Sequence, residues 1–209
     1  MPRIRSKPSV ALRPVEDQRF MKILVAALIS EGLLVVFGFL LVWALTIEVR
    51  WDISARMAAY GVTLALAPLL LNHYLWRRTR NYPESVYSRF SGEIIDPLCR
   101  QISIPTAISI AILSGWCEEY FFRGALSGAI ARYSSPPVAC VLSSVLFAGI
   151  HFVGNFKRFG GMMPLYTLMG MYMWLIYYLS GSLFCVAVLH GSYNLAAILQ
   201  VKLRHRVGA

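Results

Sequence analysis

Three short motifs place polar side chains inside stretches of sequence that otherwise suit lipid. They are EEYFFR from Glu118 to Arg123, FAGIH from Phe147 to His151, and HGSYN from His190 to Asn194. A charged group in hydrocarbon is costly unless it is paired or used, so an ionisable residue inside a membrane indicates function by default. The sequence therefore predicts one site that is formed by side chains from three separate helices.

The first motif contains two carboxylates and one arginine. Glu119 and Arg123 are four residues apart with the acid on the N-terminal side, which is the favourable order for an ion pair on a helix. Glu118 lies about 100° around the helix from Glu119, so the same arginine cannot easily satisfy both carboxylates. A carboxylate in a poorly solvated cavity is a stronger base than one in water, which makes Glu118 the candidate general base. The alternative is a structural network between helices.

The other two motifs add groups that can assist such a base. A lone histidine such as His151 is more often a packing residue than a catalyst, but beside Glu118 it could orient or polarise the same water. His190 and Asn194 lie one turn apart on one helix face and could donate to a developing oxyanion. Their alternative role is an interhelical hydrogen-bonding pair. Together these groups predict peptide hydrolysis inside the membrane.

The elements that must position these groups are transmembrane helices. The chain has 209 residues, of which 57% are hydrophobic and 14% charged, and its mean hydropathy is +0.59. Most of its apolar stretches approach the roughly 20 residues that cross a bilayer. The six stretches are 23–45, 57–76, 104–122, 137–153, 163–179 and 183–201. We predict an all-α, polytopic bundle of about six spans, with tilted or broken helices around an intramembrane cavity.

The predicted organisation has one membrane domain between two basic ends. Residues 1–22 are expected to form a cytoplasmic arm, residues 23–201 a transmembrane protease domain whose motif-bearing core is 104–194, and residues 202–209 a cytoplasmic tail. The first span is too long for a signal-peptide core, which favours an uncleaved anchor. The four cysteines form no CxxC pair, so free thiols are expected.

The distribution of positive charge predicts the orientation of the chain. The net charge is +10, and 16 of the 20 Lys and Arg residues lie on one side if the N-terminus is cytoplasmic. This asymmetry follows the positive-inside rule, so we expect a multi-pass protein of the cell membrane with both termini in the cytoplasm. The basic excess then contacts the lipid bilayer, and no nucleic acid is expected as a partner.

The three motifs together resemble a known family. In order, they match the EExxxR, FxxxH and HxxxN motifs of the CAAX protease and bacteriocin-processing family, also called the Abi family or type II CAAX prenyl endopeptidases. The resemblance covers roughly residues 104–194, and no motif position departs from the pattern. It implies an all-helical membrane bundle with its site in a cavity that opens within the bilayer.

The resemblance also implies a role for each motif residue. Glu118 is similar to the water-activating glutamate, His151 assists it, and the pair His190 and Asn194 stabilises the oxyanion. The supporting residues are Glu119, Arg123 and Phe147. The expected substrate is a membrane-anchored peptide or protein, and the small size of the chain resembles prokaryotic members, which process bacteriocin-like peptides or the anchored tails of surface proteins.

A metal-dependent mechanism and two other functions remain as alternatives. Members of the family are often labelled metalloproteases, and Glu118, His151 and His190 could in principle form a zinc site. The HExxH signature is absent and the family is more often described as glutamate-type, so no cofactor is expected, with zinc as the alternative. A proton-coupled transporter would use similar residues, although the sequence has no internal repeat. A non-proteolytic scaffold or maturation factor is the other alternative.

Two further expectations concern geometry. Glu31, in the first apolar stretch, is expected to be protonated and hydrogen-bonded to a neighbouring helix, outside the site. Straight helices would place Glu118 and His151 at different depths. We therefore predict that the third span continues toward Tyr133, or that the loop 154–161 folds back into the membrane, with breaks near Pro105, residues 134–137 and residues 160–161.

Overall fold

The computed structural model describes residues 14–207, with side-chain environments from residue 21 to residue 204. Eleven α-helices, two π-helical segments and one 3-10 turn make up the regular structure of that part. The helices are α1 Pro14–Leu45, α2 Ala55–Leu64, α3 Leu66–Thr79, α4 Val86–Phe90, α5 Asp96–Gln101, α6 Ile104–Glu119, α7 Ser127–Tyr133, α8 Pro136–His151, α9 Phe156–Phe159, α10 Met163–Ser180 and α11 Leu183–Val207. The predicted all-α helical membrane bundle is confirmed.

Three helices are long and apolar enough to cross a membrane alone, namely Met21–Leu45, Ala55–Thr79 and Leu183–Arg204. Two more candidates are pairs of helices bent at a short break. Val86–Gln101 meets Ile104–Tyr133 at 118°, and Pro136–His151 meets Phe156–Ser180 at 110°. Residues 14–207 thus hold three to five candidate spans rather than six, because the predicted fourth and fifth spans are the two arms of one bent pair.

The first and last helices extend beyond the apolar stretches at the two ends of the chain. Helix α1 begins at Pro14, inside the arm predicted for residues 1–22, and α11 continues to Val207 through most of the predicted tail. A proline suits the first turn of a helix, where its missing N–H is not needed. A formed helix also gains one hydrogen bond for each residue it adds, so both helices extend beyond their apolar parts. Residues 1–13 and 208–209 lie outside the described part.

The third span is long, as predicted. Helix α6 passes without a break into a π-helical segment, Tyr120–Leu126, and then into α7, which ends at Tyr133. A π-helical segment often occurs at a functional site, and this one follows Glu119 directly. Pro105 stands in the first turn of α6, at the start of this helix. The four cysteines are free thiols, in agreement with the sequence.

Helices α6 and α11 form the close crossing that positions the site. A Cβ atom on Gly115 would lie 2.6 Å from the carbonyl oxygen of Ala187 and 2.9 Å from the amide nitrogen of Gly191. Both neighbours are backbone atoms, so they cannot turn away as a side chain could. The contact therefore requires glycine, and it fixes how closely the two motif-bearing helices approach.

Replacing Gly115 by alanine should push these helices apart and destabilise the bundle. Inserting a methyl group into a tight contact costs about 1–3 kcal/mol, so the melting temperature in detergent should fall. Gly149→Ala is the matched control, because a Cβ atom there would meet no atom within 4 Å and alanine favours a helix. Equal melting temperatures for the two variants would contradict the close crossing.

Candidate active site

The centre of the site is the fully buried carboxylate of Glu119. Its Oε1 atom accepts a hydrogen bond from Arg123 Nη1 at 3.0 Å and contacts His190 Nδ1 at 2.7 Å. The ion pair predicted from the four-residue spacing is therefore confirmed. Arg123, itself 1% exposed, also donates from Nη2 to the carbonyl oxygen of Gly170 at 3.1 Å. This network joins α6 and its π-helical extension to α10 and α11.

Phe147 packs between the charged groups and the two histidines. The guanidinium carbon of Arg123 lies 4.4 Å from the Phe147 ring centre, a distance at which a cation is attracted to an aromatic face. The same ring lies 4.7 Å from the His151 ring and 6.1 Å from the His190 ring, measured between centres. Phe147 therefore holds both imidazoles by packing, which agrees with the supporting position predicted for it.

Glu118 and His151 face each other across a small gap. Glu118 Oε2 lies 3.8 Å from His151 Nε2, which is too long for a direct hydrogen bond but short enough for one water to contact both atoms. His151 Nδ1 lies 2.8 Å from the carbonyl oxygen of Phe147. A carbonyl oxygen only accepts hydrogen bonds, so Nδ1 carries a proton and Nε2 is the atom presented to Glu118.

Helix α11 brings the remaining two groups to the same place. His190 Nδ1 is held by Glu119, so Nε2 is the ring nitrogen left for another partner. Asn194 Nδ2 donates to Ser114 Oγ at 2.9 Å, which fixes the amide against α6. The geometry thus brings together all four residues predicted to be catalytic, although distances alone do not assign their roles.

These groups line one cavity. It has a volume of 240 Å³, and its wall includes Glu118, Phe147, His151, His190 and Asn194. A second, largely apolar cavity of 280 Å³ shares several wall residues with the first, so the two adjoin. The shared residues are Asn72, Leu165, Tyr166, Tyr193 and Asn194. An extended, mainly apolar ligand in the second cavity would therefore reach the polar groups of the first.

Sequence reasoning missed one residue of this site. Tyr166, on α10, places its ring 4.9 Å from the His151 ring between centres and lines both cavities. The sequence did not point to Tyr166 as a site residue, because a tyrosine in an apolar helix is common. Glu31 was expected outside the site, and it is not among the residues that line the two cavities. It lies within electrostatic range of Glu118.

The arrangement does not fit the zinc alternative. No group of three or more His, Cys, Asp or Glu side chains within the described ranges is arranged to hold a metal ion. His190 Nδ1 is held by Glu119, and His151 Nε2 lies 3.8 Å from Glu118 Oε2. The chemistry considered below therefore uses only the protein side chains and water.

Comparisons with known proteins agree with the motif resemblance. The sequence model described as "Type II CAAX prenyl endopeptidase Rce1-like" matches residues 100–196, which contain all three motifs. "Uncharacterized protein YpbD" of Bacillus subtilis (strain 168) is 26% identical to this chain over 159 residues, covering 74% of this chain and 75% of the relative. A search of solved structures returned no match. The resemblance stated from the motifs is confirmed.

Proposed function

We propose, from the similarity of residues 100–196 to the type II CAAX prenyl endopeptidase family, that this protein is an intramembrane endopeptidase. It hydrolyses a membrane-anchored peptide or protein with a water that Glu118 activates. The observation that carries the proposal is the gap of 3.8 Å between Glu118 Oε2 and His151 Nε2 in a cavity that also contains His190 and Asn194. A helical membrane bundle in which these polar side chains did not share one cavity would offer no site for hydrolysis.

The proposed reaction begins with a water between Glu118 and His151. Glu118 takes a proton from the water while His151 Nε2 orients it, and the hydroxide attacks the scissile carbonyl carbon. The C–O bond forms as the carbonyl electron pair moves to oxygen. When this tetrahedral intermediate collapses, the C–N bond breaks and Glu118 returns its proton to the leaving amine. The products are a new carboxylate and a new amine, and the base is regenerated.

The oxyanion of the intermediate is stabilised by the pair on α11. His190 Nε2–H and the Asn194 amide donate hydrogen bonds to it, and such donors act strongly where water is excluded. Donation from both ring nitrogens of His190 requires the imidazolium form, for which the buried Glu119 carboxylate is the counter-ion. Arg123 fixes Glu119 in turn, so the supporting ion pair orients the oxyanion site without touching the substrate.

The substrate proposed is an apolar or lipid-anchored chain. The cavity that adjoins the polar groups is lined mainly by apolar side chains of α1, α4, α5 and α11, which would shield such a chain from water. We place both termini in the cytoplasm, as the distribution of basic residues predicts, and we place the protein in a prokaryotic cell because of its similarity to a Bacillus subtilis protein.

Hydrolysis by the purified protein tests this function directly. The protein would be reconstituted in liposomes with membrane-anchored peptides, and the products identified by mass spectrometry. New peptide termini are expected. The transporter alternative expects ion flux across the same liposomes without cleavage, and the scaffold alternative expects binding of a membrane protein without cleavage.

Replacing Asn194 by alanine should lower kcat with little change in KM. Loss of one oxyanion donor costs roughly 10²–10³ in kcat, whereas ground-state binding of the peptide does not depend on this amide. The matched control is Gln200→Ala, which removes an amide from the same helix where it contacts His73 at 3.0 Å. Initial rates over a range of peptide concentrations give both constants. A selective rise in KM would instead assign Asn194 to substrate binding.

A further inference from the structure

An arginine with unused N–H donors lies in the wall of the second, apolar cavity. Arg204 of α11 lines this cavity, and its Nη2 atom is buried without a hydrogen-bond partner among the residues that the structure describes. None of the ion pairs between described residues includes Arg204. A cationic donor that has left water without gaining an acceptor costs free energy, and an anionic ligand would remove this cost.

Trp76 of α3 holds this guanidinium in place. The guanidinium carbon of Arg204 lies 3.8 Å from the centre of the Trp76 ring, which is close enough for a cation–π attraction. An aromatic ring attracts the charge but supplies no oxygen acceptor to the N–H groups. Asp96 of α5 lies within electrostatic range of Arg204, so an arriving anion competes with this acid through space. Arg204 is therefore a positioned cation that still has donors to offer.

The position of Arg204 along α11 matches the depth of a lipid headgroup. The candidate span runs from Leu183 to Arg204 over 22 residues, and Asn194 lies ten residues before its end. At a rise of about 1.5 Å per residue, this separation is about 15 Å along the helix axis, which is half of a hydrocarbon core about 30 Å thick. Both Asn194 and Arg204 line the apolar cavity. The cavity therefore extends from the middle of the span to its end, which is the depth of one lipid leaflet.

The wall between these two residues suits an acyl chain. It is mainly apolar and includes Ile23, Leu98, Ile110, Leu165 and Ile198. A peptide backbone in this space would bring N–H and C=O groups that need partners, whereas an acyl chain has no such groups. At the end of the cavity, a guanidinium binds a phosphate through charge-assisted hydrogen bonds. The combination favours a ligand with an alkyl chain and an anionic phosphate.

We propose that the second cavity is a binding site for one anionic phospholipid of the membrane, with its phosphate on Arg204 and one acyl chain directed toward Asn194. Basic pockets between membrane helices bind anionic headgroups in this way. The site goes beyond the proposed hydrolysis, because lipid binding requires no cleavage. A lipid-anchored substrate that enters the same cavity would displace the bound lipid.

Native mass spectrometry of the full chain in detergent tests the role of Arg204. Phosphatidylglycerol is titrated into the protein, and phosphatidylcholine with the same acyl chains is the comparison without net charge. The wild type should bind one phosphatidylglycerol more tightly than phosphatidylcholine. Arg204→Gln should weaken the binding of phosphatidylglycerol about tenfold or more, because hydrogen bonds between charged groups are the stronger ones. The matched control is Arg80→Gln, which removes an exposed cation 5.6 Å from the same Trp76 ring and should leave the affinity unchanged. Equal affinities of the wild type and Arg204→Gln would overturn the proposal.

A second variant tests the acyl chain. Ala197→Leu adds bulk to the cavity wall two turns before Arg204 and should also weaken the binding of phosphatidylglycerol. Ala196→Leu is the matched control, because Ala196 is not among the residues that line either cavity. The melting temperature of each variant shows whether the fold is kept. If Ala197→Leu bound phosphatidylglycerol as tightly as the wild type, the acyl chain would lie outside the cavity and the proposal would be wrong.

Two other ligands separate the lipid from other anions. Inorganic phosphate should bind the wild type far more weakly than phosphatidylglycerol, since it lacks the chain; equal affinity would show an anion site without a place for lipid. A peptide with a free C-terminal carboxylate should not depend on Arg204. If such a peptide bound more tightly than phosphatidylglycerol and lost this affinity in Arg204→Gln, Arg204 would belong to the substrate site instead. These measurements require no cleavage, so a protein that hydrolyses no peptide contradicts the proposed function and leaves the lipid site to be decided by binding.

Discussion

Replacing Glu118 by glutamine should lower kcat for peptide hydrolysis by about 10²–10⁴-fold, the usual contribution of a positioned general base. Glutamine has almost the same shape, but it cannot take a proton from water. The fold should therefore be preserved while the chemical step is lost. Initial rates in detergent, with mass spectrometry of the products, measure the effect, and the far-ultraviolet circular dichroism spectrum checks the helical content.

The control for this prediction is Glu84→Gln, which makes the same chemical change at an exposed glutamate before α4. It should retain the wild-type rate. In cells, peptides that stay uncut in the presence of Glu118→Gln protein, but not of the Glu84→Gln protein, would identify substrates. If the Glu118→Gln protein were as fast as the wild type, the base would have to be a different residue and the proposed mechanism would fail.

Replacing Arg123 by methionine should cost about 3–5 kcal/mol of stability, the usual effect of removing one partner of a buried ion pair. Arg123 and Glu119 are 1% and 0% exposed, so the carboxylate would stay buried without the guanidinium, with His190 as its remaining side-chain partner. The change also removes the hydrogen bond to Gly170, which links the π-helical segment to α10. Unfolding in mixed micelles, followed by the loss of helical signal, gives the free energy of unfolding.

Two further variants test whether loss of the buried ion pair causes the loss of stability in Arg123→Met. Arg56→Met removes a cation whose partner Asp52 lies 3.9 Å away at the surface, where an exposed pair contributes about 0–1 kcal/mol. The double variant Glu119→Gln/Arg123→Met removes both members of this pair and should be more stable than Arg123→Met alone, because no carboxylate stays buried without the guanidinium. A double variant that is no more stable than Arg123→Met would show that the pair does not act as a unit.

Much of the site followed from spacing within single helices. Glu119 and Arg123 pair because residues four apart face each other on a helix, so this contact needed only the assumption of a helix. The orientation of His190 toward Glu119 could not be predicted in the same way, because 71 positions separate the two residues. The catalytic roles themselves stay predictions until the variants above are measured.

The sequence by itself determined that the chain is an all-α membrane bundle, since hydropathy along a chain decides whether segments suit lipid. It also determined which polar groups must be paired or used there, because their cost in hydrocarbon does not depend on the fold. Only the tertiary structure decided how these groups meet. The 110° bend after α8 and the glycine crossing of α6 and α11 are features of the packed chain that no local pattern records. The contact of His190 with Glu119 likewise joins distant segments.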